Sequence, residues 1–179
     1  MPVLVPAAGS VLLLVDLQQR LMPAISGGDA VVANADRLAR AAEMVGVPVA
    51  ATEQNPAGLG PTVDALAAYP QMVMPKTAFA ATSEAMFDTL LPPGAEHLVV
   101  AGCEAHVCVL QTVIGLCGRG HRVVLVADAV GSRTEANRDA ALVRAREHGA
   151  EVVTTEMVLF EWLGHSGHPR FRDVQRLIT

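Results

Sequence analysis

The sequence predicts an α/β fold of three layers, a parallel sheet covered by helices on both faces, and three observations carry that prediction. Short apolar runs rich in Val and Leu alternate with Ala-rich segments of helical period about six times along the chain. The runs are nearly continuous, as in LLLVDL, HLVVAG and RVVLVAD, which is how strands buried on two sides read. Hydrophobic residues make up 51% of the 179, but aromatics only 3%, so the core must be built from Ala, Val and Leu. That palette suits helices packed on a buried sheet better than an aromatic-rich sandwich.

In chain order, the predicted strands are Val11–Leu17, Val47–Thr52, Gln71–Met74, His97–Ala101, Arg122–Ala127 and Glu151–Thr154. Helices are predicted over Ala30–Val45, Ser83–Leu91, Ala105–Gly118 and Thr134–His148, the first with a stripe at Val32, Leu38, Ala42 and Val45. Gly120 and Gly149 stand just beyond two of them, where helices commonly stop before the next strand. NPAGLGP (Asn55–Pro61) and LPPG (Leu91–Gly94) carry loop chemistry. From Phe160 onward the chain reads as a connection into a short terminal helix, Phe171–Ile178. With no internal repeat, low-complexity tract or linker, residues 1–179 read as a single domain.

The net charge of −5, with no basic block, argues against nucleic acid or an anionic membrane surface as partner. Three cysteines, an odd number in a chain too long to need a disulfide framework, read as free thiols in a reducing compartment. The N-terminus lacks a basic region followed by a cleavage site, and Val11–Val15 is too short to span a bilayer. A cytoplasmic location is therefore expected.

In open parallel sheets, ligands sit beyond the carboxyl ends of the strands, where neighbouring connections diverge. Asp16 closes the first apolar run, Lys76 follows the third and Cys108 follows the fourth. Taken singly, Cys108 reads as a small buried hydrophobe, Asp16 as a cap or turn residue and Lys76 as a solvated lysine. Together they supply the parts of an acyl-transfer site. A cysteine in the first turn of a helix meets unpaired N–H groups and the positive helix end, which favour a thiolate, and a nearby ammonium would lower its pKa further. Asp16 would move the proton, and the backbone N–H groups of Val107 and Cys108 would face a developing oxyanion.

LLLVDLQ, MPKTAF and GCEAHVCVLQT, in that order and spacing, resemble the three signature segments of the isochorismatase-like hydrolase family. The resemblance covers essentially the whole chain. It is especially close to the isochorismatase-domain-containing branch, through TEQNPAGLGPTV (Thr52–Val63) and DAVGSRTEANRDAAL (Asp128–Leu142). It implies a six-stranded parallel sheet of Rossmann-like order, an Asp16–Lys76–Cys108 triad, and a cis peptide between Cys103 and Glu104 that aims N–H groups at the oxyanion. Nicotinamidases of this superfamily carry a histidine-containing metal site after the second strand. Here that region reads Thr52-Glu53-Gln54-Asn55-Pro56, a poor donor set for a transition metal, so neither metal nor cofactor is expected. Isochorismatases that cleave a vinyl ether need no sulfur nucleophile, so a retained Cys108 favours amide, ureido or ester substrates and a thioester intermediate. The alternatives are a vinyl ether hydrolase, or a binding or scaffold protein that kept the fold. A nucleotide-binding Rossmann protein is disfavoured, because no G-x-G-x-x-G follows Leu14.

Gln18, Gln19, Glu53, Gln54, Phe79 and His106 follow strand ends and are the expected substrate-binding residues, with Glu53 and Gln54 setting specificity and Phe79 offering an apolar wall. Cys103, His106 and Cys108 do not share one helix face and lack a fourth zinc ligand. His165 and His168 read as turn or interface residues, and Cys117, Met22, Met44 and Met157 as packing. Gly102 reads as a backbone requirement, making room for a tight turn before the helix. The Ala-rich helices and Phe160–Phe171 offer apolar surface for a homo-oligomer, a dimer or tetramer by family habit.

Overall fold

A computed structural model describes residues 4–179; the reading of the extreme N-terminus falls partly on residues 1–3, outside that range. Strands β1 (Ser10–Val15), β2 (Val49–Gln54), β3 (Met72–Lys76), β4 (His97–Cys103), β5 (Arg122–Gly131) and β6 (Glu151–Val153) form one sheet in the order β3-β2-β1-β4-β5-β6. Every pairing is parallel. The chain winds outward from β1 to β3, returns to lay β4 beside β1, and winds the other way. Connections therefore diverge between β1 and β4, the switch point of such sheets.

Alternate residues of β1 feed two cores, as the period of two requires. Leu12 and Leu14 pack under helices α1 (Gly28–Val45) and α6 (Thr155–Leu163), together with α7 (Phe171–Gln175). Val11, Leu13 and Val15 face α3 (Phe87–Leu90), α4 (Leu110–Gly118) and α5 (Glu135–Glu147). The six-stranded, three-layer architecture is the one predicted.

Differences lie at edges and ends. A one-turn helix, α2 (Pro56–Leu59), occupies part of the predicted loop. The span Ser83–Leu91 yields only α3, with a 3-10 turn at Ala81–Ser83 before it. The predicted helix at Ala105 opens as a π turn over Ala105–Val109 before tightening into α4. Helix α7 stops at Gln175 rather than Ile178. The largest difference is α6, which runs through Leu163 where the sequence predicts a connection from Phe160 onward. Its signal was present: Thr155, Val158, Leu159, Trp162 and Leu163 are buried at helical spacing, and Thr154 caps the Met157 N–H. Exposed Met157 and Phe160 blurred that stripe, and Met157, taken as packing, is 46% exposed.

Gly102 answers to a different constraint from the one predicted. Its φ is +138°, and a Cβ there would lie 2.0 Å from the Val15 carbonyl oxygen. The glycine lets β4 close against β1, at the seam where the site is built.

Candidate active site

At the end of β1 the backbone leaves the sheet through Asp16, whose φ of +51° lies in the left-handed region that few residues besides Gly, Asn and Asp tolerate. The Asp16 side chain is fully buried. Its Oδ1 accepts a hydrogen bond from Thr52 Oγ1 at 2.7 Å, and its Oδ2 lies 2.8 Å from Lys76 Nζ. Lys76 is the last residue of β3 and is also buried. Its Nζ donates to Gln54 Oε1 at 2.6 Å, to the Phe79 carbonyl at 3.0 Å and to the Ala78 carbonyl at 3.2 Å. With Asp16 Oδ2, four oxygens surround the three hydrogens of this ammonium, and the carboxylate is the strongest acceptor among them. Asp16 and Lys76 thus form a fully buried ion pair at hydrogen-bond distance.

Beyond β4 the Cys103–Glu104 peptide is cis, and the π turn then delivers Cys108, which is 7% exposed. Cys108 Sγ lies 3.9 Å from Gln54 Oε1, in the geometry of an S–H donor. Burial first, and then the Asp16 carboxylate, push the thiol up to about 12, with Lys76 opposing only in part. This corrects the expectation of a thiol acidified by a helix end and an ammonium. The Lys76 charge is already matched by Asp16, and the sulfur sits in a buried turn rather than at a solvated terminus. A second correction concerns the oxyanion donors. The Val107 N–H already bonds the Glu104 carbonyl at 3.1 Å, so it is not free in the resting site.

The other candidates divide. Gln18 is buried, and its amide bonds Gln54 O at 3.0 Å, Gln54 N at 2.8 Å and Gly60 O at 2.7 Å. Its side chain thereby acts as one more rung between the β1 and β2 ends, rather than as a substrate contact. Glu53 Oε1 accepts from Thr62 N at 2.7 Å and Thr62 Oγ1 at 2.9 Å, which ties it to the following turn. Gln19 donates to Asp64 at 3.0 Å and lines a 650 Å³ cleft with Met22, Pro23 and Val63, a cleft none of the triad lines. Phe79 contributes its carbonyl to Lys76 while its residue surface is 53% exposed, so the apolar wall faces largely open space. His106 Nδ1 is 2.9 Å from Ser132 Oγ, and Glu104 holds Arg133 through N at 3.2 Å and Nε at 3.0 Å. Thr52, Ser132 and Arg133 were missed. Thr52 had a legible signal, a hydroxyl closing an apolar strand. Ser132 and Arg133 had none, since only the fold lays the β5 end beside the Cys108 turn.

Among the described residues, no three of His, Cys, Asp and Glu converge as metal ligands would. No helix there is long and apolar enough to cross a membrane.

The sequence profile of the isochorismatase domain matches residues 10–157, a span containing Asp16, Lys76 and Cys108. The chain belongs to the isochorismatase family. Over 172 residues it is 40% identical to isochorismatase domain-containing protein 2 of Danio rerio, covering 96% of this chain and 87% of that one. The Homo sapiens protein of the same name is 36% identical over 169 residues, covering 94% and 82%. Among solved structures, the MAR1 ribonuclease of Caenorhabditis elegans superposes with a TM-score of 0.92 at 35% identity, covering 98% of this chain and 92% of that one. The six-stranded sheet is thus that of an isochorismatase-like hydrolase.

Proposed function

We propose that this isochorismatase-family chain hydrolyses a small amide-like bond, in an amide, a ureido compound or an ester, through a thioester on Cys108. The observation that carries the reading is the burial of Asp16, Lys76 and Cys108 together at the carboxyl ends of β1, β3 and β4, with Asp16 and Lys76 ion-paired at 2.8 Å and both charges acting on the Cys108 thiol. The resting thiol is protonated, so proton loss and attack go together. As Cys108 Sγ bonds the carbonyl carbon, Asp16 takes the S–H proton. The Cys108 N–H and the Lys76 charge meet the negative oxygen. Asp16 then gives its proton to the departing amine or alcohol as that bond breaks, leaving the acyl thioester. Water attacks next and gives Asp16 a proton, the acid departs, and the proton returns to sulfur. No step calls on a cofactor.

A nearly buried nucleophile admits a small molecule. A second reading is prompted by the neighbour described as a ribonuclease. The excess of 18 acidic over 13 basic residues disfavours a polyanion, so a small-molecule substrate is preferred. A vinyl ether substrate would leave Cys108 idle. The free thiols suit a reducing, cytoplasmic setting, and exposed Phe79, Met157 and Phe160 suit self-association into a dimer or tetramer.

The test is a panel of primary amides, ureido acids, esters and a structured RNA. On the substrate found, Cys108→Ala should lower kcat by about 10³-fold or more and abolish the covalent adduct seen by intact-protein mass spectrometry. Turnover persisting at the unmodified rate would end the thioester reading. RNA cleavage that survives in Cys108→Ala would do the same.

A further inference from the structure

We propose that Glu84 is a positioning residue for Lys76: its carboxylate holds the turn Thr77–Phe79, whose carbonyls receive the buried ammonium, and ties that turn to the helix that follows Cys108. This role deepens the thioester reading and rests on it.

Lys76 curls back onto the chain that follows it, donating to the Ala78 and Phe79 carbonyls at 3.2 Å and 3.0 Å. The place of the ammonium therefore depends on the place of that turn, and one oxygen fixes the turn from outside. Glu84 Oε1 accepts from Thr77 N at 2.7 Å, from Ala78 N at 2.8 Å and from Thr77 Oγ1 at 3.4 Å. Bonds from N–H groups to a carboxylate are charge-assisted and stronger than neutral ones. The Ala78 N–H, and then that of Thr77, hold the Glu84 carboxyl below the usual carboxylate range, so the acceptor is charged at neutral pH. The Thr77–Ala78 peptide is gripped on both edges: its N–H goes to Glu84, and its carbonyl accepts from Gln54 Nε2 at 2.8 Å. With that plane fixed, the next carbonyl, of Ala78, is aimed at Lys76.

Glu84 is anchored in turn to the side of the site that carries the sulfur. Its N–H donates to the Ala81 carbonyl at 3.1 Å, and the Ala81 N–H donates to the buried Thr112 Oγ1 at 2.9 Å. Thr112 lies in α4, which continues directly from the π turn holding Cys108. The ammonium and the sulfur are thereby placed against one frame, and they share a neighbour: Gln54 Oε1 is 2.6 Å from Lys76 Nζ and 3.9 Å from Cys108 Sγ. A glutamate just before α3 invites a capping role, but its carboxylate reaches back to residues 77 and 78, and α3 has no side-chain cap.

The experiment uses the full chain and two replacements that separate geometry from charge. Glu84→Gln keeps an acceptor oxygen at the same reach and loses the charge. Glu84→Asp keeps the charge and draws the oxygen back by one methylene. On the substrate found by screening, Glu84→Asp should lower kcat by about 10-fold or more with KM within about twofold, the order that a misplaced group costs. Glu84→Gln should stay within about threefold of the unmodified kcat. Iodoacetamide labelling of Cys108, read by peptide mass spectrometry, should be slower by about threefold or more in Glu84→Asp, because a displaced Lys76 favours the thiolate less. Labelling of Glu84→Asp at the unmodified rate or faster would overturn the proposal. Equal losses of kcat in the two variants would overturn it in favour of a charge acting through space, and a raised KM with kcat unchanged in favour of a substrate contact. Should Glu84→Asp fail to fold, Glu84→Ala, which removes the acceptor, provides the same comparison. Full turnover by Cys108→Ala would sink the thioester reading itself, whereas a normal Glu84→Asp with an inactive Cys108→Ala would sink only the role of Glu84.

Discussion

The two ends of the sheet differ in a way that cavity size does not reveal. At the amino ends of the strands a 610 Å³ cleft runs among Val11, Val47, Val49, Met72, Leu90 and Pro92, and no cysteine, histidine or lysine lines it. At the carboxyl ends, three ionisable side chains are buried against one another in a confined space. Volume collects where loops pack loosely. Chemistry collects where strand ends fan apart and buried charges must find partners. The comparison teaches that the site is better located by desolvated, mutually satisfied polar groups than by room for a ligand.

Substitutions at the two ends should therefore behave differently. The largest effect is expected at the carboxyl end from Lys76→Met, which leaves Asp16 buried and unpaired. Breaking such a pair costs about 3–5 kcal/mol, read as a lowered urea midpoint, and turnover should be lost with it. A stability within about 0.5 kcal/mol of the unmodified chain would mean that water reaches the pair, removing the contrast between the ends. Gly102→Ala comes next, because its Cβ would collide with the Val15 backbone at a left-handed φ. A loss of about 3 kcal/mol is expected in thermal or urea unfolding, and a smaller one would show that the β1–β4 seam can yield.

A pH experiment sharpens the chemical half of the comparison. With the Cys108 thiol pushed up to about 12, the thiolate population rises with pH throughout the range below that value. Alkylation of Cys108 should climb from pH 7 to beyond pH 10 without a plateau. A plateau below about pH 8.5, the mark of a free or activated thiol, would show that the Lys76 charge outweighs burial and the Asp16 carboxylate. The smallest effect is expected at the amino end. Met72→Ala, at a residue 47% exposed, should change stability by about 0.5 kcal/mol or less and leave kcat/KM within about twofold. A large loss of activity there would make the cleft part of the functional surface.

Much of the site was legible because strand ends are legible. Asp16 and Lys76 stand out as charges leaving apolar runs, and Cys108 follows a glycine that permits close backbone approach. What stayed hidden were the side chains whose work is done across the sheet. Gln18 and Gln54 read from the sequence as substrate contacts, yet one is a rung between strand ends and the other reaches Lys76. Helix α6 was blurred for a related reason, since residues exposed on its outer face are as apolar as those it buries.

Periodicity, composition and three spaced segments by themselves determined the layers, the strands and the candidates Asp16, Lys76 and Cys108. The protonation of the sulfur, the allotment of three ammonium hydrogens among four oxygens, and the prior engagement of the Val107 N–H were decided only in three dimensions. The physical reason is that these are competitions for desolvated donors and acceptors. Their outcome depends on distances of a few tenths of an ångström between residues far apart along the chain.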